Sequence, residues 1–210
     1  METPRIITVE GNIGAGKSTL VDKMKERYAD HDNIMFLQEP VDVWSKITQN
    51  GKNMLELFYS DQRKYSFAFQ ILAYTTRLQL IEAAVAEAKI KGVRTIVMER
   101  SLDADRNIFA KMLHDDGLIE DCMYQIYLTM SNDRMRKYMA DGILWIHAGP
   151  ETCMERIQKR AREGEEKISL GYLETCDIYH REWLGADTGG VFLIDDELDW
   201  GKLDTYLLDE

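Results

Sequence analysis

The stretch Val9-Glu10-Gly11-Asn12-Ile13-Gly14-Ala15-Gly16-Lys17-Ser18-Thr19 fits G-x-x-x-x-G-K-[ST], and it narrows the available folds more than any other part of the chain. It follows an apolar β-type run, Ile6-Ile7-Thr8-Val9, and leads into a helical pattern from Ser18 towards Tyr28. A phosphate-binding loop works only at such a strand-to-helix junction. There, glycines let backbone N–H groups approach phosphate oxygens, and the positive end of the helix dipole adds to the attraction. Lys17 can reach the outer phosphates of a nucleoside triphosphate, and the Ser18 hydroxyl can ligate Mg²⁺. An ordinary glycine-rich turn before a helix would need neither the lysine nor the hydroxyl. The expectation is therefore a bound nucleoside triphosphate accompanied by Mg²⁺.

Apolar β-type segments recur at Ile6–Val9, Ile34–Leu37, Thr95–Met98, Ile143–Ile146 and Val191–Ile194, with helical patterns between them. This alternation predicts an α/β fold with a five-stranded parallel sheet flanked by helices. In such sheets ligands sit beyond the carboxyl ends of the strands. The residues there are Glu10 and the loop, Gln38-Glu39-Pro40, Glu99-Arg100-Ser101, His147-Ala148-Gly149 and Asp195-Asp196. A length of 210 residues predicts one domain spanning 1–210. Apolar and charged fractions of 45% and 30% are ordinary for a globular chain. No apolar run approaches a membrane span, and no basic-then-apolar signal peptide opens the chain. Cys122, Cys153 and Cys176 have neither metal spacing nor a disulfide pattern, so reduced thiols in an intracellular, cytoplasmic setting are expected. The net charge of −11 argues against a nucleic-acid polymer as partner, though a small anion can still bind a locally positive loop.

Several side chains are candidates for chemistry. Glu39, at the end of a strand and stiffened by Pro40, can accept a proton from an attacking hydroxyl, or can simply cap the next segment. Glu99 closes a strand that lacks alternation and so is buried on both faces; it can serve as the carboxylate on the Mg²⁺ side. Arg100 can neutralise a transferring phosphoryl group or fix Glu39, while a structural ion pair at the sheet edge is the plainer reading. A helix predicted from Tyr65 to about Ile90 places Phe69, Ala73, Arg77 and Leu80 on one face, with Gln70 adjoining. From residues alone, Arg77 reads as a snorkelling arginine on an amphipathic helix, and Gln70 as an amide able to read a base edge. The charged run from Arg156 to Lys167 reads most plainly as a solvated face or mobile loop, but it contains Arg160 and Arg162 before Gly164 and suits a basic lid, at about 160–168, that closes over a triphosphate. Further helices are expected over Ile119–Met139 and Leu170–Leu184, with a turn at Asp187-Thr188-Gly189-Gly190.

Taken in order, these pieces resemble the deoxynucleoside kinase family, on the deoxycytidine, deoxyguanosine and deoxyadenosine kinase-like branch. The resemblance is carried by Gly11–Thr19, Gln38-Glu39-Pro40-Val41 with Trp44, and Leu55-Glu56-Leu57-Phe58-Tyr59. It continues through Phe69-Gln70, Met98-Glu99-Arg100-Ser101, the Arg160–Glu166 lid and Tyr172-Leu173-Glu174. It implies a P-loop kinase fold, a homodimer, and ATP as the donor of a phosphoryl group to a deoxynucleoside 5′-hydroxyl. It implies further that Glu39 is the general base, Arg100 binds Glu39 and the 5′ oxygen, and Glu99 lies near Mg²⁺. Tyr59 and Glu166 would bind the sugar 3′-hydroxyl, and Gln70 the base edge. Ile13, Val41, Leu55, Phe58, Phe69 and Phe109 would form the apolar walls. Arg156, Arg160 and Arg162 would meet the phosphates, and Trp200 would stack the adenine against Arg160. The acidic pair stands one residue further from the second lid arginine than the family pattern, at Glu163-Gly164, which leaves Glu165 as the other candidate for the 3′-hydroxyl.

The same resemblance places Arg77 and Asp105 in the pocket as a pair. Such a pair would serve the polar edge of cytosine or a purine and crowd the thymine 5-methyl group, with Ala73 leaving room at the base. The competing expectations are a nucleoside-monophosphate kinase of the thymidylate kinase type and a GTP-dependent binding module. The first needs basic residues for the acceptor's phosphate, where Glu39 stands instead. The second calls for an Asn-Lys-x-Asp stretch, which is absent from the sequence.

Overall fold

A computed structural model describes residues 3–185, 190–194 and 198–208. The expected turn residues Asp187-Thr188-Gly189 and the strand-end pair Asp195-Asp196 lie outside the described residues.

Five parallel strands form one sheet in the order β2-β5-β1-β6-β7, with β1 Arg5–Glu10 at its centre. The others are β2 Ile34–Leu37, β5 Thr95–Glu99, β6 Gly142–Ile146 and β7 Val191–Ile194. Two-residue strands β3 Thr48–Gln49 and β4 Lys52–Asn53 make a separate antiparallel hairpin. The five sheet strands agree with the sequence reading to within one residue at each end, and the hairpin was not in that reading.

The continuous apolar runs of β1 and β5 follow from helices covering both faces of the sheet. On one face Ile6, Ile96 and Met98 pack with Tyr74, Ile81 and Ala84 of α4 (Gln62–Lys91) and with Tyr127 and Met135 of α7 (Asp121–Lys137). On the other, Ile7, Val9 and Val97 meet Val21 and Met24 of α1 (Lys17–Arg27) and Leu203 and Leu207 of α10 (Trp200–Leu208). Alternation along β1 thus feeds two cores, each such aliphatic side chain contributing about 1.5–3 kcal/mol on burial.

The switch in strand order lies beside β1, where the chain first leaves towards β2 and later crosses over to β6. A crevice opens there beyond the strand ends. Around it stand α2 (Val41–Lys46), α3 (Met54–Ser60), α8 (Pro150–Arg160) and α9 (Leu170–Leu184). Asn53 caps α3 with a capping box, its side chain accepting from the Glu56 N–H while Glu56 accepts from the Asn53 N–H. The helical stretch after β5 runs as α5 (Leu102–Ala104), a π-helical segment Asp105–Ala110, and α6 (Lys111–Asp115). Among the described residues no helix is long and apolar enough to cross a membrane.

Candidate active site

The phosphate loop leaves β1 at Glu10 and enters α1 at Lys17. At Gly14, φ is +81°, and a Cβ there would stand 2.5 Å from the carbonyl oxygen of Cys153 in α8. Only glycine allows this approach. The loop is tied down on both sides: Asn12 Nδ2 donates to the Leu173 carbonyl at 2.8 Å, and Arg156 Nη1 donates to the Ala15 carbonyl at 2.7 Å. Lys17, buried at 5% exposure, donates to the Asn12 carbonyl at 2.8 Å, within the loop it is to serve. Burial, followed by the charge of Arg100, brings its pKa down to about 8. Ser18 Oγ donates to Glu99 Oε1 at 2.9 Å. These two hard oxygen donors fit Mg²⁺ that keeps water and phosphate oxygens as its other ligands. No group of three or more His, Cys, Asp or Glu side chains able to hold a metal occurs among the described residues.

A slot adjoins the loop, and Lys17, Glu39, Glu99 and Arg100 all line it. Its floor is a charge network centred on Arg77, which is 1% exposed. Arg77 Nε donates to Asp105 Oδ2 at 2.8 Å and Nη2 to Asp105 Oδ1 at 3.1 Å. Nη2 also donates to Glu39 Oε1 at 2.9 Å, and Nη1 to the Glu99 carbonyl at 3.3 Å. The snorkelling reading of Arg77 is overturned; so complete a burial requires these partners. Arg100 adds a second cation to Glu39, Nε to Oε1 at 3.3 Å, and its guanidinium lies 4.6 Å from the centre of the Phe109 ring. Burial pushes the Glu39 carboxyl up, but Arg77, Arg100 and Lys17 together outweigh it and hold the pKa at about 2. Glu39 is ionised at neutral pH.

The slot's walls are apolar. Trp44, Leu55, Phe58, Phe69 and Ala73 belong to one buried cluster. Phe58 and Phe69 stack at 4.7 Å, and Trp44 meets Phe69 edge-on at 5.3 Å while its ring N–H donates to Thr76 Oγ1. Gln70 is 2% exposed in this wall, and its side-chain carbonyl is buried with no partner in the chain. Such an orphaned acceptor is what a donor on a bound base would satisfy. At the far end Tyr59 and Tyr172 meet edge to face at 5.9 Å.

Arg160, Arg162 and Glu165, from the end of α8 and the segment after it, also line the slot. Arg160 Nη2 donates to Glu165 Oε2 at 2.6 Å and Arg162 Nη1 to Glu165 Oε1 at 3.2 Å. Gly164, with φ +95°, sits so close to the start of α3 that a Cβ would lie 2.9 Å from both the Glu56 nitrogen and the Leu55 Cβ. The turn it permits directs Glu165 into the slot.

Residues 7–202 match the deoxynucleoside kinase family. This chain belongs to that family. A probable deoxycytidine kinase of fowlpox virus is 32% identical over 92% of this chain and 77% of its own length. Human deoxycytidine kinase is 33% identical over 85% and 74%, and mitochondrial deoxyguanosine kinase of Xenopus laevis is 31% identical over 88% and 75%. A chain of this family is a nucleoside kinase, a transferase that uses ATP.

In this deoxynucleoside kinase most of the expected residues converge. Glu39, Glu99, Arg100, Tyr59, Phe69, Gln70, Arg77, Asp105 and Phe109 all line the slot, with Arg160 and Arg162 shared between it and the cleft above the loop. Two expectations are corrected. Glu166 is exposed and accepts from the Gly164 N–H at 2.9 Å, while Glu165 faces the slot at 5% exposure. Trp200 does not line the cleft above the loop: its ring lies 5.0 Å from the Arg27 guanidinium and packs against the α1–α10 core, whereas Leu198, among the described residues of that segment, does line it. The sequence reading of the slot missed Tyr172 as a wall and the bond from Arg77 to Glu39. The first had a signal, a tyrosine among motif residues; the second depends on two strand ends and a helix meeting in space.

Proposed function

We propose that this kinase transfers the γ-phosphoryl group of ATP, accompanied by Mg²⁺, to the 5′-hydroxyl of a deoxynucleoside, favouring deoxycytidine and purine deoxynucleosides over thymidine. The observation that carries the reading is an ionised carboxylate, Glu39, set in one slot with Lys17 and Glu99 and fixed by two arginines. A neutral hydroxyl can donate to Glu39; a phosphate dianion would be repelled, which disfavours a monophosphate acceptor.

In this reading the base lies between Phe69 and Phe109 with its edge on Gln70 and the Arg77–Asp105 pair. Tyr59 and Glu165 hold the 3′-hydroxyl, and Ser18 and Glu99 hold Mg²⁺. The metal ion, when bound, draws off charge that develops on the phosphate oxygens. Glu39 at a pKa of about 2 is a weak base, so it chiefly aims the hydroxyl and takes the proton as the new O–P bond forms. Lys17, Arg100, Arg156, Arg160 and Arg162 supply the rest by neutralising charge. Ala73, Arg77 and Asp105 support the base preference, because a methyl group offers the charged pair lining the slot no hydrogen bond, whereas the polar edge of cytosine or a purine does.

The chain is proposed to act as one domain and as a homodimer. Ile126 and Met130, exposed on α7, support the dimer, and light scattering would test it. Three unpaired cysteines favour a reducing, cytoplasmic setting. The decisive experiment is an acceptor panel with ATP and Mg²⁺, comparing kcat/KM for the four deoxynucleosides and their monophosphates. Deoxycytidine or a purine deoxynucleoside should lead. Thymidine clearly best would overturn the preference, and a monophosphate best would overturn the reaction.

A further inference from the structure

Glu165 stands in the wall that the two clefts share. Its carboxylate lines the slot beside Tyr59 and Tyr172, and the two arginines it holds also line the donor cleft over the phosphate loop. It cannot readily swing away. The Glu165 N–H donates to the Arg162 carbonyl and the Ile168 N–H donates to the Glu165 carbonyl, both at 3.1 Å, and Ile168 is buried among α8 and α9 residues. Gly164 seats the same turn on α3, the helix that carries Tyr59. One carboxylate therefore commits two cations that a triphosphate in the donor cleft would also attract.

We propose that Glu165 is a positioning residue through which the acceptor's sugar hydroxyl controls the lid arginines. A hydroxyl donating to Glu165 draws on the negative charge that holds Arg160 and Arg162, and so weakens its pull on the two guanidiniums against that of the donor's phosphates. An ionised carboxylate accepts at about four lone-pair positions, so it can take the hydroxyl without expelling either arginine. It then holds each less tightly, and the phosphates compete more favourably. By linkage the effect is reciprocal: the donor tightens the acceptor by the same factor. The inference rests on the deoxynucleoside reading above and adds to it a coupling between the half-sites.

The test is a titration of a non-hydrolysable ATP analogue with Mg²⁺ into the full chain. It is run alone, with a saturating deoxynucleoside, and with the matching 3′-deoxy compound at its own saturating concentration. The 3′-hydroxyl compound should tighten the analogue about five- to tenfold, a normal size for coupling between sites, and the 3′-deoxy compound should leave it nearly unchanged. Glu165→Gln, whose amide holds the guanidiniums weakly, should bind the analogue alone at least as tightly as the wild type and show no difference between the nucleosides. A merely structural role would instead weaken the analogue under every condition. Equal effects of the two nucleosides on the wild type, a comparison that needs no variant, would overturn the inference, as would full coupling retained in Glu165→Gln. A wild type that phosphorylates deoxynucleosides without coupling removes this inference alone; one that binds no deoxynucleoside removes the functional reading with it.

Discussion

At Arg77 a single guanidinium serves two carboxylates with different proposed tasks, Asp105 at the base and Glu39 at the reacting hydroxyl. Changes made to alter base preference should therefore also move the chemistry. Arg77→Met with Asp105→Ala is expected to raise thymidine relative to deoxycytidine in kcat/KM; an unchanged ranking would remove the pair as a discriminator. The same double variant takes away one of the cations that hold Glu39 down, so the acid limb of its pH–rate profile should move to higher pH. Asp105→Ala alone leaves Arg77 buried with only part of its partners, and should destabilise by roughly 3 kcal/mol in denaturant unfolding. The double variant should be more stable than that single one, because no uncompensated charge remains. For Glu39→Gln the expectation is a loss in kcat of roughly two to four orders of magnitude, the usual range for a group that handles the proton. Activity within threefold of wild type would take Glu39 out of that role.

At the scale of elements, loops and helix ends deliver these side chains through close backbone contacts. Gly14 is the clearest case. Gly14→Ala must accept a left-handed backbone and a contact with the Cys153 carbonyl. Strain of that kind costs about 1–3 kcal/mol, seen as a lower unfolding midpoint, and displacing the loop from α8 should weaken ATP binding at least tenfold. Normal nucleotide affinity in that variant would mean the loop can separate from α8 without harm. The π-helical segment from Asp105 to Ala110 is a second case. Its wider turn brings Asp105 and Phe109 to the same slot after β5, close to Arg100. π-helical turns recur at functional sites, and no residue pattern marks one in advance.

For the whole molecule, burial governs the response to pH. Lys17 is held at about 8 in the unliganded loop, and a triphosphate favours its protonated form. ATP affinity should thus be level below that pH and fall above it, with proton uptake on binding; calorimetry in buffers of different ionisation enthalpy would detect it. His180 has the opposite consequence, for stability. Its Nδ1–H donates to the Cys176 carbonyl at 2.6 Å, and its Nε2 is buried beside the loop. Burial, then the charge of Arg100, lowers its pKa to about 3. The unfolded chain takes up this proton first, so stability is full above about 6.5 and is lost as pH falls towards 3. At pH 5 the loss is about 2 kcal/mol, and the stability gap between wild type and His180→Gln should narrow by that amount between pH 7 and pH 5.

Tyr59, Asp105 and Phe109 were expected from family resemblance alone, while the sequence by itself determined the sheet, the phosphate loop and the polar residues at the strand ends. These are local properties: apolar runs too long for one covered face, glycines at a strand-to-helix turn, and polar residues where strands end. The long helix and its apolar stripe were legible for the same reason. What only the tertiary structure decided are relations between segments distant in the chain. That Glu165 and not Glu166 faces the slot turns on how Gly164 seats against α3, and the place of Trp200 on how α10 packs against α1. From its own stripe Arg77 read as a snorkelling arginine, because a helical stripe fixes which face a side chain is on but not what stands opposite; the resemblance supplied Asp105, and neither supplied Glu39. Its two carboxylates come from the end of β2 and from beyond β5, and only the folded sheet brings them to one guanidinium.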